Sequence, residues 1–267
     1  MTPSPFKLYW WRRGGRWTNL GDEVSPLILG HVTGREIEHA GLETCDGIAI
    51  GSVFYPRKAV RKKRSNPMFI WGSGTLIPRP ARFDRLFAIL AALRGPNTAG
   101  QIENCPEIPF GDPGLFIPEI APKAAGGAGH IGLIPHHSML GSPVVRNLRD
   151  ALGGAEVLDF TNPDFMATLA RLSQSRLIVS SSLHGLIFAD AYGIPSLFWN
   201  EAGAENEWKF RDYFEGAGRQ DYAALTAAQI TDIVGGGRVD DLPVSLLSAA
   251  SKDRVLADLR AAAKLMP

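Results

Sequence analysis

Compact apolar runs alternate with stretches of helical periodicity along most of the chain. In the first half, runs bounded by glycine, proline or charge predict strands over Phe6–Trp11, Gly47–Gly51, Met68–Trp71 and Ala88–Arg94. A helix is predicted from about Glu23 to Val32, with Asp22 as its N-cap. The second half is more regular. Strands are predicted at His130–Pro135, Glu156–Phe160, Arg176–Ser181 and Pro195–Asn200. Between and after them lie helices at Pro143–Leu152, at Pro163–Ser173 with proline in the first turn, and at His184–Tyr192. Two amphipathic helices follow, Ala227–Val234 behind a Thr226 cap and Leu246–Lys264.

Strands that alternate with helices build parallel sheets with crossover helices. The segment from Ile117 to Gly129 is rich in Pro, Ala and Gly and reads as a linker. The expected fold is therefore α/β, with two Rossmann-like doubly wound domains, 1–122 and 128–267, facing a cleft. Such sheets bind ligands beyond the carboxyl ends of their strands and at helix N-termini.

Composition narrows the function classes. In 267 residues, 28 Lys and Arg stand against 27 Asp and Glu, so the chain is not tuned for nucleic acid and any anion site must be local. Two cysteines, Cys45 and Cys105, cannot make a disulfide framework, and no His/Cys spacing resembles a zinc site, so no metal is expected. Lys7, Arg12, Arg13 and Arg16 interrupt the early apolar run, which argues against a signal peptide, and no apolar stretch is long enough to span a bilayer. The expected location is the cytoplasm. The basic run Arg57–Arg64 reads as a solvated loop, or as a contact with anionic lipid or a lipid-pyrophosphate carrier at the inner face of the membrane.

The sharpest local signal runs from Ile178 to Pro195. A β-branched strand enters Ser180-Ser-Ser182, a helix begins near His184, Gly193 closes it and Pro195 starts the next strand. Free N–H groups at this helix start suit a phosphate, and Ser181, Ser182, Leu183 and Gly185 frame it. The competing reading is that the serines only cap the helix and His184 packs under a loop. Gly72-Ser-Gly74 follows a strand and permits close backbone approach, or is a plain turn. Arg94 sits at a strand end, where its guanidinium can fork a carboxylate or phosphate, or lie on the surface. His136 and His137 stand at another strand end, and neighbouring residues point apart, so one can face the cleft. Phe110-Gly-Asp-Pro-Gly114 reads as a turn, Asn19-Leu-Gly-Asp22 as a helix start, and Lys209 as a phosphate ligand or a surface lysine.

Taken in order, these motifs resemble the polysaccharide pyruvyl transferase family, and most nearly its bacterial exopolysaccharide branch of succinoglycan type. The order is Asn19-Leu-Gly-Asp22, Gly72-Ser-Gly74, Arg94-Gly-Pro96, Gly111-Asp-Pro-Gly-Leu115, Ile131-Gly-Leu-Ile-Pro-His136, Ser182-Leu-His-Gly185 and Lys209-Phe-Arg-Asp-Tyr213. The resemblance covers about residues 17 to 215. It implies a glycosyltransferase-B-like fold, phosphoenolpyruvate as donor substrate with no separate cofactor, and a sugar diol on a glycan or lipid-linked oligosaccharide as acceptor. Many members carry arginine before the Leu-His-Gly, where this chain has Ser182.

On that reading the donor phosphate sits at Ser181–Gly185 and Arg94 holds the donor. His184 protonates the methylene carbon or stabilises departing phosphate, and Asp22 or His136 takes the hydroxyl proton. Asn19, Gly72, Ser73, Gly74, His137 and Lys209 complete the expected binding set. Two other readings use the same architecture. One is a nucleotide-sugar glycosyltransferase with Glu201 or Glu205 as a ribose clamp. The other is a non-catalytic glycan-binding member.

Overall fold

The computed structural model describes residues 4–12, 19–126, 129–203, 207–235 and 238–267. In the first half the strands are β1 (Phe6–Tyr9), β2 (Ile37–His39), β3 (Gly47–Ile48), β4 (Met68–Ser73), β5 (Ala81–Arg82), β6 (Ala88–Leu93) and β7 (Ile102–Glu103). In the second they are β8 (Ile131–Ile134), β9 (Glu156–Val157), β10 (Leu177–Ser180), β11 (Ser196–Trp199) and β12 (Ala224–Leu225). Two separate five-stranded sheets form, in the orders β2-β1-β3-β4-β6 and β12-β11-β10-β8-β9, and β5 and β7 make a small third. Every pairing within the two large sheets is parallel. This is the Rossmann-like arrangement, and the strand composition explains it. Every residue of β4, β8, β10 and β11 is buried, so neither face of those strands can meet water and helices must cover both.

The helices are α1 (Leu20–Glu23), α2 (Ser25–Thr33), α3 (Pro96–Ala99), α4 (Ile117–Ile120), α5 (Pro143–Ala151), α6 (Phe165–Ser173), α7 (Leu183–Tyr192), α8 (Trp208–Ala217), α9 (Ala227–Gly235) and α10 (Ala249–Ala263). Side-chain caps fix several starts. Ser142 accepts from Val145 N–H, Asp164 from Ala167 N–H and Ser248 from Ser251 N–H. Two expected starts shift. Asn19, not Asp22, caps α1, which places Asp22 inside the helix. Asp164 caps α6, which leaves Pro163 outside its first turn.

The expected linker is partly core. Ile117 is fully buried, and α4 packs on α7 and α2. The halves are joined by more than this crossover. All ten residues of α7 are buried, and Leu186, Ile187 and Phe188 belong to a cluster that also holds Trp71 and Phe116 of the first half. Burying each such side chain contributes about 1.5–3 kcal/mol. The C-terminal α10 returns to the first sheet, where Leu259 carbonyl accepts from Trp71 Nε1 at 2.8 Å. Leu20 N–H donates to Phe160 carbonyl at 2.7 Å, which brings the start of α1 against the second sheet's loops.

Candidate functional site

A cavity of about 320 Å³ lies where loops leave the carboxyl ends of strands in both sheets. From the first half come Asn19 and Asp22 after β1, Ser52 and Tyr55 after β3, and Leu76 after β4. From the second come His136 and His137 after β8, Ser182 and His184 after β10, and Lys209 after β11. A second depression of about 410 Å³ shares His136 and Lys209 and adds Ser181 and Asn200. This is the position at which parallel α/β sheets bind ligands.

The serine turn that precedes α7 is built by Ser180. Its Oγ accepts from Ser182 N–H at 3.0 Å and lies 3.1 Å from Ile134 carbonyl. Gly185 is required behind it, because a Cβ there would lie 2.3 Å from Ser180 Oγ. Ser181 Oγ accepts from His136 N–H at 2.8 Å and fixes the β8 loop. Ser182 occupies the N-cap position with extended backbone, yet its side chain makes no cap bond. The first turn of α7 therefore presents N–H groups and the Ser182 hydroxyl toward the cavity, with the positive end of the helix dipole behind them.

Asn19-Leu-Gly-Asp22 serves the same cavity. Asn19 Oδ1 accepts from Asp22 N–H at 3.3 Å, and Asn19 Nδ2 donates to Asp22 Oδ2. Gly21 makes room for the histidine, since a Cβ on it would stand 2.0 Å from His184 Nδ1. The imidazole stacks on Phe188 at 5.8 Å between centroids, and its buried Nε2 has no hydrogen-bond partner. On the opposite wall His137 stacks on Trp11 at 6.2 Å, and His136 lies 4.1 Å from His137.

Electrostatics reorder the expected roles. Burial, helped by Glu23, pushes the Asp22 carboxyl up to about 7, against the pull of Asn19 and Lys209. Burial, with Lys209 and Arg94 nearby, pushes His184 down to about 3. Burial and His137 push His136 down to about 4. At neutral pH both imidazoles are uncharged, so the expectation that His184 donates a proton near neutrality does not fit its burial. Lys209 is pushed down to about 8 by burial and Arg94. Its ammonium makes no hydrogen bond or ion pair among the described residues, and it lines both depressions.

Arg94 is not in the cavity. It is fully buried; its Nε donates to Asp212 at 3.0 Å, Nη1 to Ser52 Oγ at 2.7 Å and Nη2 to Thr75 carbonyl at 2.9 Å. With every guanidinium nitrogen engaged, it cannot fork a ligand, and the expectation that it holds the donor is corrected. The Gly72-Ser-Gly74 turn is also internal. Ser73 Oγ donates to Gly51 carbonyl at 2.9 Å, Gly72 has φ +76° and abuts Pro113, and Gly74 abuts the Arg94 guanidinium. Asp112 Oδ1 accepts from Gly114 N–H at 2.8 Å, which makes Gly111-Asp-Pro-Gly114 a turn, as its sequence suggests.

Asp212 was missed by sequence reasoning. It accepts from Arg94, from Thr98 N–H at 2.8 Å and from Thr98 Oγ1 at 2.6 Å, so one motif is the partner of another. Glu201 is engaged as well, accepting from Trp199 Nε1 at 2.6 Å, and Glu205 lies outside the described residues. In the basic run, Arg64 donates to the carbonyls of Leu42, Glu43 and Cys45, Arg61 lies over Phe87 and Lys58 pairs with Glu43, while Arg57 and Lys62 are exposed and have no ion pair among the described residues. Among the described residues no helix is long and apolar enough to cross a membrane.

Two parallel sheets whose carboxyl ends share one cavity define a Rossmann-like α/β protein. The family model for polysaccharide pyruvyl transferase matches residues 2–199, and the chain belongs to that family. It is also 25% identical over 216 residues to the succinoglycan biosynthesis protein ExoV of Rhizobium meliloti (strain 1021), which covers 79% of this chain and 64% of that relative.

Proposed function

We propose that the chain transfers the pyruvyl group of phosphoenolpyruvate to a sugar diol of an exopolysaccharide or its lipid-linked precursor, forming a ketal. The two halves act in a glycosyltransferase-B-like manner, each supplying one side of the cavity. One observation carries the reading. A buried carboxyl tuned to about 7 shares a cavity with a cation that has no ion pair among the described residues and with an uncapped helix start. That set matches what the reaction demands: a proton for carbon and counter-charge for phosphate.

In this mechanism the donor phosphate lies against the α7 N-terminus and Ser182, with Lys209 supplying charge. In many members of the family, arginine stands at the Ser182 position. Protonated Asp22 gives its proton to the methylene carbon, and the adjacent carbon becomes oxocarbenium-like. One sugar hydroxyl adds there, phosphate departs, and the second hydroxyl closes the ketal. Neutral His136 accepts the first hydroxyl's proton and passes it to the departing phosphate, the Asp22 carboxylate recovers its proton from the second hydroxyl as the ring closes, and the unpartnered Nε2 of His184 hydrogen-bonds the phosphate. Asp22 thus takes the role of acid that the sequence reading gave to His184. The nucleotide-sugar reading is less well supported, because Glu201 is held by Trp199 and by Ala227 N–H.

Calorimetric titration with phosphoenolpyruvate, beside uridine- and guanosine-diphosphate sugars, tests the donor. Saturable binding of phosphoenolpyruvate alone is expected, with phosphate released only when a glycan acceptor is added. Binding of a nucleotide sugar but not of phosphoenolpyruvate would reverse the assignment.

A further inference from the structure

The cavity does not end at Trp11 and Tyr55. Those two residues also line a depression of about 630 Å³, with Tyr9 beside them and Arg57 and Arg79 on its walls. Pro56, Arg57 and Pro80 then pass into a third depression of about 590 Å³. The three share lining residues in sequence, so they form one groove that leads away from the reacting centre. Such a shape suits a chain of several units better than a small molecule. Tyr9, Trp11 and Tyr55 are each only partly buried. His137 takes one side of Trp11 and Arg79 one side of Tyr55, and the uncovered part of such an aromatic surface receives the C–H face of a pyranose while the hydroxyls on the ring's edge stay in water.

Part of the charge in this groove is also unspent, although Arg82 is paired with Asp84 and Glu103. Arg79 lies over the Tyr55 ring with Cζ 5.0 Å from its centroid, and its buried Nε has no hydrogen-bond partner. Neither Arg79 nor Arg57 has an ion pair among the described residues, whereas neighbouring Lys58 is neutralised by Glu43. A buried guanidinium nitrogen without a partner is costly unless a ligand completes it.

We propose that this groove seats the acceptor glycan, with a sugar ring on Trp11 and Tyr55 and an oxyanion substituent of the glycan, carboxylate or phosphate, on Arg79 and Arg57. The inference rests on the transferase reading, because it takes the groove's occupant to be the acceptor. It extends that reading by making acceptor choice depend on an acidic group beyond the reacting diol.

The test titrates the full chain with three soluble probes. They are a tetrasaccharide ending in glucuronate, its carboxyl-reduced neutral counterpart, and octyl glucosyl diphosphate. Phosphoenolpyruvate is titrated in parallel. At least one anionic probe should bind about ten-fold or more tighter than the neutral one, and the stronger of the two identifies the oxyanion. Arg79→Gln and the exposed Arg57→Gln should each erase that preference, while neutral-probe and phosphoenolpyruvate binding stay as in the parent.

Equal binding of charged and neutral probes, or a preference that survives both substitutions, overturns the proposal. So does tighter binding of an oligothymidylate that displaces the tetrasaccharide. If the glycan preference holds but phosphoenolpyruvate does not bind, the donor reading fails and the groove assignment stands.

Discussion

Among the described side chains of the cavity, Asp22 and Lys209 have charge states that change near neutral pH, and each makes a distinct prediction. Lys209 is charged below about 8, so donor affinity should fall as pH rises through that value. Lys209→Arg should keep binding at pH 9, because guanidinium stays protonated, while Lys209→Met should weaken binding about ten- to hundred-fold at pH 7. Titrations across pH check both. Asp22 adds a pH dependence of stability. Its carboxyl is raised from 3.8 to about 7, so the folded chain holds a proton that the unfolded chain has released between those values. Stability from this group is therefore lost as pH rises through that window. Asp22→Asn carries no such proton, so its melting temperature should gain on the parent's from pH 5 to about pH 7 and keep a constant difference above that. A constant difference from pH 5 to pH 7 would mean that Asp22 ionises normally.

At the scale of elements, the family motifs divide into those that meet the ligand cavity and those that meet each other. Asn19–Asp22 and Ser182–His184 meet at Gly21 and belong to the cavity. Arg94-Gly95 instead docks on α8, where a Cβ on Gly95 would lie 1.7 Å from Asp212 carbonyl and one on Gly216 would lie 2.2 Å from Arg94 carbonyl. Arg94→Met should consequently destabilise by about 3–5 kcal/mol, since Asp212 would be left buried and uncompensated. Chemical denaturation measures this. A stable Arg94→Met protein with weakened donor binding would restore Arg94 to the site.

The same division shows what the sequence could reveal. The strand into Ser180, the helix from Leu183 and its stop at Gly193 were legible because β-branched residues, a serine turn and a left-handed glycine are local signals. That Arg94 faces Asp212 was not, because the two lie 118 positions apart. A charged residue at a strand end looks the same whether it meets substrate or an unseen carboxylate. Helix α8 was missed because aromatic and charged residues alternate through Trp208–Arg211 and no side chain caps its start.

For the whole molecule, the alternation of strands and helices was enough to foresee two parallel sheets. The return of α10 to the first sheet was not legible, since an amphipathic helix does not state which sheet it covers. Nor was the depth of the junction, where α7 is buried on every side and a network of Arg94, Asp212 and Thr98 ties the halves. Such a junction fixes the distance between the walls, so a carboxyl from the first half and an ammonium from the second can be desolvated together. The central claim is that this shared burial makes Asp22 the acid. The measurement that reaches it most directly is turnover, followed as phosphate release from phosphoenolpyruvate with a glycan acceptor from pH 5 to pH 9. The account predicts a rate that falls above an apparent pKa near 7, and a loss of about 10²–10⁴-fold in a well-folded Asp22→Asn protein. A rate that is flat or rising above pH 7, or Asp22→Asn turnover within a few-fold of the parent, would contradict it.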